Sequence, residues 1–238
     1  MAYEELREAA WRANRELGRS GLVVLSFGNA SGIDRAAGVM AIKTSGVPYQ
    51  SLRPEAMVVV ALEDGLVVDG SLRPSSDTPT HLVLYRRFPA VGGVVHTHSI
   101  VASAWAQAGR AIPPLGTTHA DHFHGPVPVT RPLSPEEIGG SYEEETGNVI
   151  VETFDAAGLD PLAVPAVLVA SHGPFTWGVD AADAVKNAMA LEAVAAMARD
   201  TLLLHLEAEQ VGQVLLDRHY LRKHGPAAYY GQDSVGEP

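Results

Sequence analysis

The sequence predicts an α/β fold, one mixed sheet covered by helices, built as a single domain. Three observations predict it. Strand-like apolar runs crowd the first half of the chain and return at 165–171, with amphipathic helical stretches interspersed between them. At 238 residues with 46% hydrophobic composition, the chain can bury one sizeable core, and its length demands no second one. No fixed-period repeat, low-complexity tract or Pro/Gly/Ser-rich linker interrupts it.

The elements follow in order. Leu6, Ala9, Ala10, Ala13 and Leu17 recur at helical spacing, and Ser20-Gly21 ends that helix. Leu22 to Leu25 reads as a strand running into a glycine-flanked loop, Gly28-Asn29-Ala30-Ser31-Gly32. Gly38 to Lys43 reads as the returning strand and delivers Lys43-Thr44-Ser45-Gly46, whose cation, hydroxyl and glycine amide suit a phosphate. Met57–Leu62 and Leu66–Val68 flank Glu63-Asp64-Gly65, a hairpin signature. Ser75-Ser76-Asp77 then precedes a helix with Pro79 in its first turn, which serves equally as a helix cap or as an anion site.

Gly93-Val94-Val95-His96-Thr97-His98 is the next strand. Side chains alternate along a strand, so His96 and His98 share a face and can grip a divalent metal, given a third ligand from elsewhere. A helix from Ile100 to Ala108 follows, with Ala104, Trp105 and Ala108 expected in the core. Residues 116–125 are dense in titratable groups, including His119, Asp121, His122 and His124. A helix start at Pro132 to Glu137 and a helix continuing to Gly158 lead to the apolar run at 165–169. His172, in Ser171-His172-Gly173-Pro174, comes at the end of that buried strand and is the best third ligand. A long helix from Asp180 to about Glu207 carries Val185, Ala188, Met189, Val194 and Met197 in its apolar stripe, and a last helix spans Val214 to Lys223.

Bulk properties exclude several functions. The formal charge of −11 without any Lys/Arg run argues against nucleic acid and anionic membrane surfaces as partners. Cysteine is absent, which removes disulfides and thiol chemistry. Acidic residues stand where a signal peptide has its basic segment, and no apolar stretch approaches membrane-spanning length, so a cytoplasmic location is expected.

Gly28-Asn29, Lys43-Thr44-Ser45-Gly46, Pro74 through His81, His96-Thr97-His98-Ser99, Ser171 through Phe175 and Lys223-His224-Gly225 through Gln232 occur together and in order. This set resembles the L-ribulose-5-phosphate 4-epimerases of the class II aldolase and adducin superfamily, from the first helix to Gln232. The resemblance implies a single domain over 1–232, with 233–238 a polar tail of no assigned role. It implies a three-layer α/β/α fold around a mostly antiparallel mixed sheet, and a homotetramer with sites at subunit interfaces. It also implies zinc or another divalent metal such as manganese, and a pentulose phosphate as substrate, with a place in arabinose catabolism. Metal ligands then fall on His96, His98 and His172, with Asp77 as a further ligand or polar neighbour, and the phosphate pocket falls on Asn29, Lys43, Ser45, Gly46, Ser75 and Ser76. Acid/base roles fall on Asp121 and Tyr230, the tyrosine from an adjacent subunit, and His219 is a weaker addition near the interface. His122 and His124 depart from the pattern, which has tyrosines there.

The implied chemistry explains the inventory. Position 4 of the sugar bears no acidic proton, so inversion there requires breaking and remaking the C3–C4 bond, with two acid/base groups on opposite sides. Two rival readings stand beside it. One is a fuculose or rhamnulose phosphate aldolase, in which the fuculose enzyme places a glutamate where Asp77 stands. The other is a non-catalytic module like the adducin head, which has no reason to keep three histidines together with phosphate donors.

Overall fold

The computed structural model describes residues 3–229. Seven strands form one sheet in the order β4-β3-β2-β1-β5-β7-β6. The strands are β1 (Asn29–Asp34), β2 (Val39–Ile42), β3 (Val58–Ala61), β4 (Val67–Asp69), β5 (Gly93–His96), β6 (Ala166–Val169) and β7 (Gly173–Gly178). Every strand pair is antiparallel, and a single parallel bridge joins Val129 to Leu168 beside the sheet.

Among the described residues, eight α-helices cover it: α1 (Glu4–Arg19), α2 (Thr78–Arg87), α3 (Ile100–Gln107), α4 (Thr117–Ala120), α5 (Pro135–Gly139), α6 (Tyr142–Ala157), α7 (Ala181–Leu204) and α8 (Gln213–His224). Strand alternation sorts the core into layers. Met40 and Ile42 of β2 face the layer that contains Leu82, Ile150 and Trp177, while Val39 and Ala41 face the opposite side with Ala10 of α1. β5 does the same, Val94 packing with the first layer and Val95 with Ala184 and Val185 of α7. The three-layer expectation therefore holds, with α2 and α6 on one face and α1 and α7 on the other. α2 and α6 approach closely because Gly147 has no side chain; a Cβ there would stand 2.6 Å from Val83.

Several local features differ from what the sequence suggests. Leu22 to Leu25 is not a strand: Val24 and Leu25 are exposed, and Leu25 has φ 58°. The strand is instead the small, polar Asn29–Asp34, held as a central strand by the buried Asn14, whose side chain accepts from the Ala30 amide at 2.9 Å and donates to the Ala30 carbonyl at 2.8 Å. Gly173–Gly178, with its Pro174, lacks the look of a strand, yet it is wholly buried between β5 and β6. In α3 the core residues are Ala102, Trp105 and Ala106, while Ala104 and Ala108 are exposed. Met189 and Met197 of α7 also face outward, and the buried stripe is largely alanine and valine. An alanine stripe lets the helix lie close against β5 and β7.

No helix among the described residues is long and apolar enough to cross a membrane.

Candidate functional site

The end of β5 delivers His96, and the link from β5 to α3 delivers His98. The turn between β6 and β7 delivers His172, with Ser171 at φ 61° forcing the chain round. Because β5 pairs with β7 so that His96 lies opposite Phe175, these two segments are adjacent in space. The three imidazoles offer one nitrogen each within 4.8 Å of one another, and they are the one such cluster of ligating side chains among the described residues. His96 is buried, His172 half-buried and His98 exposed, so the cluster opens to solvent on the His98 side.

The donor set fits a divalent metal. Burial holds the His96 imidazole below its ordinary pKa, and His172 is pushed down to about 4 by burial and then by the neighbouring His96 and His98. Both are thus neutral at pH 7, the form that donates a lone pair. The ring of His96 is stacked on Phe175 at 4.2 Å, and the Tyr142 hydroxyl is 3.4 Å from His172 Nδ1. His96 Nε2 and His98 Nε2 are 3.0 Å apart, near the separation of about 3.3 Å that tetrahedral zinc–nitrogen lengths of about 2.0–2.1 Å require.

Glu192 of α7 supports the segment that carries His98. Its carboxylate accepts from the Ser99 hydroxyl at 2.7 Å and from the Val101 and Ala102 amides at 2.8 and 2.9 Å, so it caps α3 from across the fold.

Beside the histidines lies a polar patch from three segments. Asn29 Nδ2 donates to Asp77 Oδ2 at 2.6 Å and to Ser75 Oγ at 3.0 Å, while its Oδ1 is buried without a hydrogen-bond partner. Glycine is needed before it: Gly28 has φ 84°, and a Cβ there would stand 2.6 Å from the His96 carbonyl. The two candidate phosphate loops are zipped together, Ser75 N donating to the Lys43 carbonyl at 2.9 Å and Ser45 N to the Arg73 carbonyl at 3.0 Å. The Lys43 ammonium is buried over the Tyr49 ring at 5.0 Å, and burial lowers its pKa while Asp77 opposes the shift. Ser45, Gly46 and Ser76 are exposed at the rim of these loops.

Asp77 stands at the start of α2 but does not cap it. Its carboxylate turns to Asn29 instead. Burial alone would raise its pKa, yet the net shift is downward through His96, His81, the Asn29 bond and His172. It is therefore an anion close to the histidines, though outside their cluster of ligand atoms.

Asp121 is engaged elsewhere. It follows α4 and pairs with α8: Arg222 at 2.8 Å, His219 at 3.0 Å and Lys223 at 3.8 Å. Burial would raise the pKa of its carboxyl, but the hydrogen bonds from Arg222 and His219 and the charges of Lys223 and Arg222 hold it below the usual range. His124 pairs with Asp217 and stacks on Tyr220, which stacks in turn on His224. Tyr230 lies outside the described residues.

Sequence reasoning missed Glu192, Tyr142 and a buried chain in which Ser31 Oγ lies 2.7 Å from His81 Nδ1 and 2.8 Å from the Tyr85 hydroxyl. His81 was visible as the end of the Pro74–His81 motif. Glu192 had no local signal, since it reads as one more polar residue on a long helix.

Residues 8–199 match the family described as the class II aldolase and adducin N-terminal domain. Among solved structures, the fold resembles an L-fuculose 1-phosphate aldolase (TM-score 0.76, 20% identity, covering 92% of this chain and 96% of that one). It also resembles YgbL from Escherichia coli, described as a candidate aldolase, epimerase or decarboxylase (TM-score 0.70, 25% identity, covering 92% and 99%). A third likeness is to the L-fuculose-1-phosphate aldolase of Thermus thermophilus (TM-score 0.64, 24% identity, covering 84% and 96%). The family match covers most of the chain and the fold agrees with it over nearly the whole length: the chain belongs to the class II aldolase and adducin family.

Proposed function

We propose that this protein is a divalent-metal-dependent enzyme that interconverts L-ribulose 5-phosphate and D-xylulose 5-phosphate. The observation that carries the reading is the meeting of three imidazoles, His96, His98 and His172, with the Asn29–Asp77–Ser75 patch and the buried Lys43. A metal held by the three histidines supplies Lewis-acid stabilisation of charge on the sugar oxygens. Zinc or manganese suits that donor set.

The residues divide the remaining work. Lys43 supplies the fixed positive charge for the phosphate, with Asn29, Ser75, Ser76, Ser45 and the Gly46 amide as distributed donors. Such a pocket keeps the aldehyde fragment of a retro-aldol cleavage from escaping while its carbonyl turns before re-addition. Asp121 and Tyr230 exchange protons with the C4 oxygen in its two orientations. On this reading Tyr230 comes from an adjacent subunit of a homotetramer, and Asp121 is held in place by its contacts along α8.

Asp77 also admits a second reading, although an aspartate, shorter than the glutamate of the fuculose enzyme, favours the epimerase. An anionic carboxylate beside the three histidines has the placement of the base in a sugar-phosphate aldolase, which releases the fragments instead of rejoining them. One assay separates the two. Metal-loaded protein is incubated with L-ribulose 5-phosphate and, separately, with L-fuculose 1-phosphate. The epimerase reading expects D-xylulose 5-phosphate in the first reaction; no product above a metal-stripped control overturns it, and cleavage in the second reaction alone assigns the aldolase.

A further inference from the structure

Away from the histidines, three guanidinium groups converge on one cavity. It has a volume of about 350 Å³ and lies between α1 and the Tyr49–Arg53 segment, lined by Trp11, Arg15, Arg19, Tyr49, Gln50 and Arg53. That size falls within the range of small-molecule sites. In a chain with 28 acidic and 17 basic residues, three arginines would be expected to find carboxylates. Arg12, one turn away, does so with Glu8 at 2.8 Å. Arg15, Arg19 and Arg53 do not: none has a carboxylate within salt-bridge distance among the described residues. Arg15 instead lies over the Trp11 ring at 5.1 Å, and Arg53 Nη1 donates to the Leu52 carbonyl at 2.9 Å.

The rest of the cavity is built rather than loose. The Trp11 indole N–H donates to the Leu52 carbonyl at 3.0 Å, which fixes the ring that supports Arg15. Tyr49 is buried, and its hydroxyl donates to the Gly28 carbonyl at 2.7 Å. Gly18 lets α1 lie against it, because a Cβ there would stand 2.8 Å from Tyr49 Cβ. Guanidinium groups bind phosphate through paired N–H donors and also stack on flat rings. A Trp11–Arg15 stack therefore offers a platform for a planar ring, with Arg19 and Arg53 flanking it for a phosphate and the Gln50 amide for a polar ring edge.

We propose that this cavity is a second ligand site, for a phosphomonoester that carries a flat heterocycle, in the manner of a nucleoside monophosphate. Its wall is shared with the candidate substrate pocket, since Tyr49 lines the cavity and its ring also bears the Lys43 ammonium at 5.0 Å. A ligand there is separated from Lys43 by the Tyr49 ring. Binding there does not rest on Lys43 serving the substrate phosphate.

Calorimetric titration of the metal-loaded protein with AMP, ribose 5-phosphate and inorganic phosphate tests the proposal. AMP should bind more tightly than ribose 5-phosphate, and inorganic phosphate most weakly. The double variant Arg15→Gln/Arg19→Gln should weaken AMP at least tenfold, and Arg53→Gln, on a different element, should do so independently. Lys43→Met should leave AMP binding within about twofold of wild type, which separates this site from the substrate pocket. Absence of AMP binding at millimolar concentration overturns the proposal. So do equal affinities for AMP and phosphate, loss of binding in Lys43→Met alone, and a change of oligomeric state in the arginine variants on a sizing column, which would make this face a subunit contact.

Discussion

His96 Nδ1 donates to the carbonyl of Pro174 at 3.0 Å. A carbonyl oxygen only accepts, so the relationship fixes the tautomer: the proton is on Nδ1, and the Nε2 lone pair is presented to His98 and His172. Phe175, the next residue along β7, stacks on the same ring with an interplanar angle of 18°. Phe175→Ala should therefore do two things. It should cost about 3–5 kcal/mol of stability, the usual range for emptying a buried aromatic position, and weaken zinc by roughly tenfold, the scale of a lost outer-shell support. Urea unfolding measures the first and competition with a chromophoric chelator the second; unchanged zinc affinity would show that the stack only packs the core.

His98 is the exposed member of the three, so its loss should spare the fold. His98→Asn should lower bound metal well below one equivalent with little change in Tm. Elemental analysis after dialysis checks it, and full occupancy would remove His98 from the ligand set.

Glu192 accepts three hydrogen bonds at the start of α3. Glu192→Ala leaves those donors unmet and should destabilise the protein by about 1–3 kcal/mol, whereas Glu192→Gln keeps an acceptor oxygen and should cost less. Hydrogen exchange localises the effect: faster exchange at Val101 and Ala102 is expected, and an unchanged rate there contradicts the capping role.

Several buried or half-buried histidines set a pH dependence. His81 is held down at about 3, His119 and His172 at about 4, and His96 below its ordinary value, in each case first by burial. In the unfolded chain these imidazoles titrate near 6.5, so between that pH and about 4 the unfolded state binds more protons. Stability of the metal-stripped protein is thus fully present above about pH 6.5 and falls as the pH drops towards 4, each histidine contributing up to about 1.4 kcal/mol per pH unit. Urea midpoints at pH 7, 6 and 5 should decline in that order; a flat series would mean that these rings are protonated in the fold.

Asp121→Asn keeps the shape but weakens the pairing with Arg222, His219 and Lys223. If the protein is the proposed epimerase, metal content should be unchanged and epimerisation should drop by about 10²-fold or more, and exchange across α8 should quicken. Unchanged turnover would pass the role to a neighbour such as His119 or His122.

Much of this was legible beforehand. His96-Thr97-His98 on a β-branched strand and His172 at a strand end could be read as candidate ligands, and the fold does bring the three rings together, because alternation and strand ends are local properties of sequence. β1 could not be read so, since the residues that make Asn29–Asp34 a strand are the distant Asn14 and the strands on either side of it. Apolar content pointed to Leu22–Leu25 instead, which the fold leaves outside the sheet. Glu192 was hidden for the same reason: its partners lie about ninety residues away. Met189 and Met197 fit a helical stripe on paper, but the face that packs on the sheet is the alanine-rich one.

The His96–Pro174 bond joins residues 78 apart in the chain. Contacts of that span meet their loop-closure cost late, after local hairpins and helices have formed. The histidine cluster is therefore assembled only when β5 and β7 have found each other, and on the proposed reading a half-folded chain would hold a metal weakly or not at all. Uptake of metal during refolding, followed in real time, should lag the recovery of helical signal, so that the ion acts as a reporter of the last long-range pairing.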